Sequence, residues 1–484
     1  MRATSQSAPA RRDLTQGSVP GNLWLLGWPQ IISGAVSAVD EMVDLFWSGF
    51  IGSRAMASVG VGQTWIMLFN SARMGLDTSA RAMVSRAIGA GDMALANHVA
   101  YQSILINTGM TLLILGSGIV FADVLWRILG VADTLSEDGL AYQRLRFGAS
   151  IFFGANNIFG SLLTAGGDSI TPMKAQLIAR GVHIALTPIF MFGLGPIPGM
   201  GILGGPVAHG IGHIAGGVLN LHGLISGSSR LKLTFEGLKV DPELAVRQLQ
   251  IGAPASVTSA ERALSNLVIV GVVAPFGPTA IAVYSVTQRL QQLTSFAGQG
   301  LAQASGVIVG QSLGAEKTDR ARSTVWWALT LVGSLQLVLC LIMFVVPELF
   351  IFAFSREPEV IELASQFLRI GVLGILMLGA ANVLALAFNT AGDTMATMVS
   401  NLGTLWLIQQ PLAITLTGAS SRWPLFGQQI VTPEAWNVGV LGVAWAIVAA
   451  SIVRFIWMFL YFLWGPWWNK QVLVRAPVAS EARR

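Results

Sequence analysis

About twelve apolar stretches of roughly twenty residues follow one another along this chain, over approximately 24–47, 56–85, 94–119, 141–165, 174–193 and 204–226, then 249–274, 279–311, 323–352, 360–388, 396–417 and 438–464. Hydrocarbon offers no partner for a free N–H or C=O, so a stretch of this length closes its hydrogen bonds on itself as a helix. The fold class that follows is an all-α membrane protein. Composition agrees: the 484 residues are 53% hydrophobic and 11% charged, where a soluble chain carries about 25% charged residues. The single cysteine, Cys340 in "LQLVLCLIMFVV", has no partner for an intramolecular disulfide. The polar opening "MRATSQSAPARRDLTQGSVPGN" lacks the apolar core of a cleavable signal and reads as a tail.

The net charge of +5 is spread over helix ends and short loops. It therefore reads as an orientation signal, and no nucleic-acid partner is expected. Arg11, Arg12, Arg86, Lys174, Arg180, the 227–248 segment, Lys317 to Arg322 and Lys470 to Arg484 fall on one face, opposite Asp133, Glu137, Asp138, Glu357, Glu359 and Glu362. An even span count then places both termini in the cytoplasm. The expected location is the cell inner (plasma) membrane, as a multi-pass monomer whose partners are the lipid bilayer and a small-molecule substrate.

The second half repeats the first without gaps. Pro29 falls on Pro254, Gly52 on Gly277, Gln63 on Gln288, Gly75 on Gly300, Gly89 on Gly314, Asn157 on Asn382 and Asp168 on Asp393, each pair 225 residues apart. Six spans repeated after an even number share one topology, so the expected lobes are related by a pseudo-two-fold axis along the membrane normal. The reading divides the chain into a tail (1–22), a six-helix lobe (23–226), a cytoplasmic linker (227–248), a second six-helix lobe (249–466) and a second tail (467–484). Two such lobes enclose a midplane cavity suited to alternating access.

The order of "VDLFWSGFIGSRAMASVG", "VSRAIGAGD" with "VGQSLGAEK", "AGGDSITPM" with "TAGDTMATM", and "FGLGPIPGMGILGGPVA" resembles the multidrug and toxic compound extrusion (MATE) family over about residues 22 to 466. The resemblance implies a secondary active antiporter that exports amphipathic, cationic organic compounds in exchange for protons, or else sodium. No other cofactor and no enzymatic activity are expected.

Within the first span stand Asp40, Glu41 and Asp44. A charge at the bilayer centre costs about 2.5–3.5 kcal/mol on insertion scales, so such acids are functional candidates. Asp40 and Asp44 are spaced i,i+4 and share a helix face. The resemblance singles out Asp44 as the group that takes a proton or sodium, with Pro29 as the point where the first helix bends. It also implies a second carboxylate before the proline of the fifth span. Here "GVHIALTPIF" supplies His183 and Thr187 instead, which disfavours sodium, a cation that wants several oxygen ligands. Asp77 lies between Arg73 and Arg81 on one face of the second span, and an arginine against Asp40 or Asp44 is one way of making their burial tolerable. Gln63, Arg73, Asn157, Glu261 and Gln288 are candidates for the cavity wall.

Other motifs carry less. "GQSLG" has no strand–turn–helix context for a nucleophile elbow, and "GMGILG" joins two spans without a βαβ unit. His209 and His213 share a face but lack the further ligands of a zinc site, so no metal is expected. A rival reading keeps the scaffold as a flippase for a lipid-linked glycan or polymer, with Arg73, Arg81 and Arg262 holding phosphate.

Overall fold

A computed structural model describes residues 13–40, 42–128, 137–227, 229–234, 239–418, 438–470 and 472. The first half contains α1 (Val19–Asp40), α2 (Val43–Ile51), α3 (Ser53–Gly89), α4 (Met93–Val120), α5 (Ala122–Ile128), α6 (Glu137–Ala165), α7 (Ile170–Phe192) and α8 (Gly204–Ser226). The second contains α9 (Pro242–Val273), α10 (Pro278–Gly314), α11 (Thr318–Val345), α12 (Pro347–Ile351), α13 (Pro358–Ala391), α14 (Thr394–Leu402), a π-helical turn (Gly403–Gln409), α15 (Gln410–Thr417) and α16 (Leu441–Trp464). Each half supplies six spans once α1–α2 and α14–α15 are counted as interrupted single crossings.

Local chemistry sets the helix starts. Asp92 and Asp241, as N-caps, accept the backbone N–H groups of Leu95 and Leu244, and Asp168, just ahead of α7, accepts that of Thr171. Gly167 and Gly392, one per repeat, turn the chain at φ 92° and 91°, where a side chain would be strained. Among the described residues, α4, α7, α8, α9, α11, α13 and α16 are long and apolar enough to cross a membrane unaided. The remaining spans, α1–α2, α3, α6, α10 and α14–α15, are interrupted or carry polar groups.

The lobes meet along a seam of glycines that repeats with the sequence. A Cβ on Gly75 would stand 2.1 Å from the Gly252 carbonyl oxygen, and one on Gly300 would stand 2.7 Å from the Ile31 backbone nitrogen. Likewise a Cβ on Gly89 would meet the Gln311 oxygen at 2.0 Å, and one on Gly314 the Arg86 oxygen at 2.1 Å. Gly27 of α1 packs on Leu301. Gly27 and Gly252, Gly75 and Gly300, Gly89 and Gly314, and Arg86 and Gln311 are all separated by 225 residues. The pseudo-two-fold axis therefore runs through this seam, where backbones approach as only glycine allows.

These contacts fall in the halves of α1, α3, α9 and α10 nearest the chain termini. On the same side Arg320 donates to the carbonyls of Leu14, Gln16 and Gly17, and Arg86 to that of Lys470. Burial alone would raise the Asp13 carboxyl, but hydrogen bonds from Thr15 and the charges of Arg230 and Lys317 hold it below the usual carboxylate range. This terminal clasp keeps that contribution above the usual range and loses it only as pH falls through the lowered value. Toward the other face Met67 and Met74 of α3 and Arg289 of α10, on the helix stripes that meet where Arg81 bonds Gln303, are exposed, so the gap between lobes opens there.

Overpacking of this kind costs about 1–3 kcal/mol. Gly89→Val is therefore expected to shift the protein away from the arrangement closed on the terminal side. In a Cys340→Ser, Ser85→Cys background, maleimide labelling of residue 85, fully buried in the seam, should rise with Gly89→Val and stay low without it.

Candidate functional site

The first span breaks where its acids stand. α1 ends at Asp40 and α2 begins at Val43, with Met42 in the turn between them. Asp44 lies in the first turn of α2, where unpaired N–H groups favour a negative charge. Both side chains turn to α7, which presents Arg180 and His183 at i,i+3. Asp40 and Asp44 are 3% and 2% exposed and His183 is 2% exposed.

His183 bridges the two acids. Its Nδ1 lies 2.5 Å from Asp40 Oδ1 and its Nε2 lies 3.1 Å from Asp44 Oδ1. Arg180 donates to Asp40 Oδ2, and Arg146 of α6 stands 3.6 Å from Asp44 Oδ2. Each of the four carboxylate oxygens thus faces a nitrogen. Gly205 at the start of α8 leaves the room: a Cβ there would sit 2.8 Å from Asp44 Oδ1. Both ring nitrogens can donate only when His183 is protonated, and the cluster then carries a single positive charge; a neutral imidazole would cancel the charges but set one nitrogen lone pair against a carboxylate oxygen.

Aromatic rings continue from the cluster along α8. His183 and His209 meet edge to face at 5.2 Å, His209 and His213 lie tilted at 4.4 Å, and Phe153 approaches His213 at 4.9 Å. Asn156 Nδ2 lies 3.1 Å from His213 Nδ1, and Asn220 donates to Asn156 Oδ1 at 2.8 Å. The Arg73 guanidinium lies over the Phe153 ring at 4.7 Å. The buried Tyr142 hydroxyl, near Asp44 and Arg146, finds no hydrogen-bond partner among the described residues.

The sequence-named residues divide. Asp40, Asp44 and His183 come together. Thr187 is buried one turn on and donates its hydroxyl to the His183 carbonyl at 2.7 Å. Glu41 lies outside the described residues. Asp77 stays with Arg73 and Arg81, and Arg81 donates across the seam to Gln303 at 2.9 Å. Arg73, named as a partner for the first-span acids, instead packs on Phe153. Arg180, counted among the basic residues of one face, sits inside α7 as the partner of Asp40, because an acid buried there needs a cation at contact distance. Asn157 ties α6 to α7 through Gln176, Gln63 is half-buried on α3, and Gln288 donates to the Tyr284 hydroxyl at 2.6 Å. Glu261 is 4% exposed in the other lobe, with Arg262, Arg454 and the Trp406 indole around it. α1 runs unbroken through Pro29, since the Ser169 hydroxyl bonds the Leu25 carbonyl that the proline leaves free. Sequence reasoning missed Arg146 and Arg180 as partners and Asn156 as the amide on His213. The available signal was Arg180 three residues before His183 in an apolar run.

A family model, MatE, matches residues 29–189 and 254–415, in register with the repeat. The chain is 24% identical over 447 residues to the probable multidrug resistance protein YoeA of Bacillus subtilis, covering 90% of this chain and 95% of that one. It is 23% identical over 415 residues to the FAD transporter of Shewanella oneidensis, covering 84% and 88%. Among solved structures, the Vibrio cholerae MATE transporter VcmN superposes with a TM-score of 0.83 at 18% identity, covering 95% of this chain and all of that one (100%).

Removing one partner of a buried ion pair costs about 3–5 kcal/mol, because the other charge is left uncompensated. Asp40→Leu alone is therefore expected to lower the melting temperature in detergent sharply. Asp40→Leu with Arg180→Leu should recover most of the loss, and a double-mutant cycle of melting curves checks it.

Proposed function

The chain belongs to the MatE family, and from that premise we propose that it is a secondary active exporter of amphipathic organic compounds, driven by protons entering in exchange. The observation that carries the proton is the occupation of all four carboxylate oxygens by nitrogens of His183, Arg180 and Arg146. A sodium ion needs several oxygen ligands, and three of the four carboxylate oxygens here are engaged by nitrogens at hydrogen-bond distance while the fourth stands 3.6 Å from Arg146. A proton needs only one imidazole, the side chain that exchanges protons most readily near neutral pH. Its charge change is felt at once by Asp40, Asp44, Arg146, Arg180 and the adjoining His209.

In this reading cargo taken up from the cytoplasmic side leaves the outward-facing cleft as His183 takes up a proton there and closes its bridge between the two acids. The lobes then rock about the glycine seam to face the other side. The positive-inside bias supports an inner (plasma) membrane location with cytoplasmic termini, so the described arrangement faces outward. The chain acts as a transporter and not as an enzyme. Relatives named for multidrug resistance and for FAD support a scaffold that accepts more than one cargo. The cationic cargo that the resemblance implies finds no unpaired acid among Asp40 and Asp44, which are already paired. The rival flippase reading draws support from Arg262, which is exposed and makes no hydrogen bond or salt bridge among the described residues.

In proteoliposomes given an acid-inside pulse, transport of either carboxyfluorescein or rhodamine 6G is expected for the wild type. Asp44→Asn and His183→Asn should each lower the rate at least about tenfold, as expected when a positioned proton-transfer group is lost. A sodium gradient should have no effect. Sodium-driven transport, or unchanged rates in both variants, would remove this cluster from the coupling role.

A further inference from the structure

The charges carried between the membrane faces do not cancel. Asp40 and Asp44 are matched by Arg180 and Arg146. Asp77 alone faces Arg73 and Arg81, and Glu261 alone faces Arg262 and Arg454. Arg289 of α10 has neither a hydrogen bond nor a salt bridge among the described residues, and it is exposed. Three positive charges are thus left over, and counting Glu41 from the sequence leaves the sign unchanged. In a low-dielectric surround such a surplus is felt across the whole cleft, and a charge held there without a partner is costly. A cleft that keeps unpaired guanidiniums has its counter-charge supplied from outside.

The cleft also shows where that counter-charge fits. On α3, Met67, Met74 and Arg81 are spaced by seven residues and share a face. On α10, Arg289, Phe296 and Gln303 do the same. The two stripes meet where Arg81 bonds Gln303 at 2.9 Å, while Phe296 closes on Gly34 of α1. Beyond that contact they part: Met67 and Met74 are 62% and 56% exposed, and Arg289 stands free opposite them. Thioethers are flexible and polarisable, suited to apolar bodies of varied shape, and a guanidinium offers paired donors to a carboxylate, sulfonate or phosphate.

We infer that the cargo is an amphipathic organic anion, its charged group held by Arg289 and its apolar body laid against Met67, Met74 and Phe296. The inference rests on the exporter reading and specifies its substrate class, departing from the cationic cargo expected from the sequence. An inside-negative membrane potential would itself aid the outward step of such a cargo. A lipid-borne phosphate shares this chemistry, so the source of the anion is part of the test.

Purified wild-type protein in nanodiscs is titrated with carboxyfluorescein and with rhodamine 6G, two dyes of one ring system and opposite charge. Saturable binding of carboxyfluorescein, tighter than that of rhodamine 6G, is expected. Arg289→Gln should weaken it by about tenfold, the loss of one charge-assisted pair, and Arg289→Lys should restore most of it. Tighter binding of rhodamine 6G, no saturable binding of carboxyfluorescein, or indifference to Arg289→Gln would overturn the inference. Displacement of the dye by polyprenyl phosphate in the same discs would assign the anion to a lipid, and lack of displacement to a free solute. Because binding needs no gradient, loss of proton-driven transport with binding intact would count against the exporter reading alone.

Discussion

A carboxylate removed from water must be met at contact distance, and the first lobe is arranged around that requirement. Asp40 and Asp44 would be costly on a continuous apolar helix. The chain answers with a helix break between them, a first-turn position for Asp44, and three nitrogen-bearing side chains drawn from α6 and α7. Gly205 completes the fit by omission, since a methyl group there would collide with Asp44. Each of these features has little reason to exist without the acids.

The backbone scaffold is symmetric where the polar chemistry is not. The glycines of the seam recur at a fixed interval because each lobe must offer the other the same close approach. Gly52 and Gly277 recur likewise at positive φ, 143° and 97°, between the first and second spans of each lobe. Gly91 is answered instead by Glu316, which adopts the left-handed conformation at φ 59° despite its side chain. The site residues have no such counterparts. Asp44 is answered by Ile269, buried in the apolar core of the second lobe, while Arg180 and His183 are answered by Leu405 and Ile408 within the π-helical turn. The frame is duplicated, whereas the buried cluster of acids, guanidiniums and imidazole belongs to one lobe alone.

The spans, the repeat and the isolated acids were legible in the sequence because each is a property of a single segment or of a fixed offset. The partners of the acids were not. Arg180 lies ten residues into its helix, and by position alone it is as consistent with a flanking charge as with a buried one. Only the placing of α7 against the break after Asp40 decides it. Asn156 and Asn157 differ by about 100° around α6. The repeat pointed to Asn157, whereas packing gave His213 to Asn156. Pro29 marked a bend by its missing donor, yet the Ser169 hydroxyl, distant in sequence, takes up the freed carbonyl and lets α1 continue. Tertiary contacts of this kind have no periodicity to read.

α1 links the two halves of this arrangement. Near its start Gly27, Ile31 and Gly34 lie against α10 of the opposite lobe, while its last residue, Asp40, is tied to α7 of its own lobe through Arg180 and His183. The acid cluster itself lies wholly within one lobe, so rocking of the lobes as bodies would leave it untouched. Bonds such as Arg81 to Gln303 and Gln311 to the Ala165 carbonyl cross the seam and must break. A change of charge at His183 can therefore bias the seam only through an element anchored at both places. α1 meets that condition.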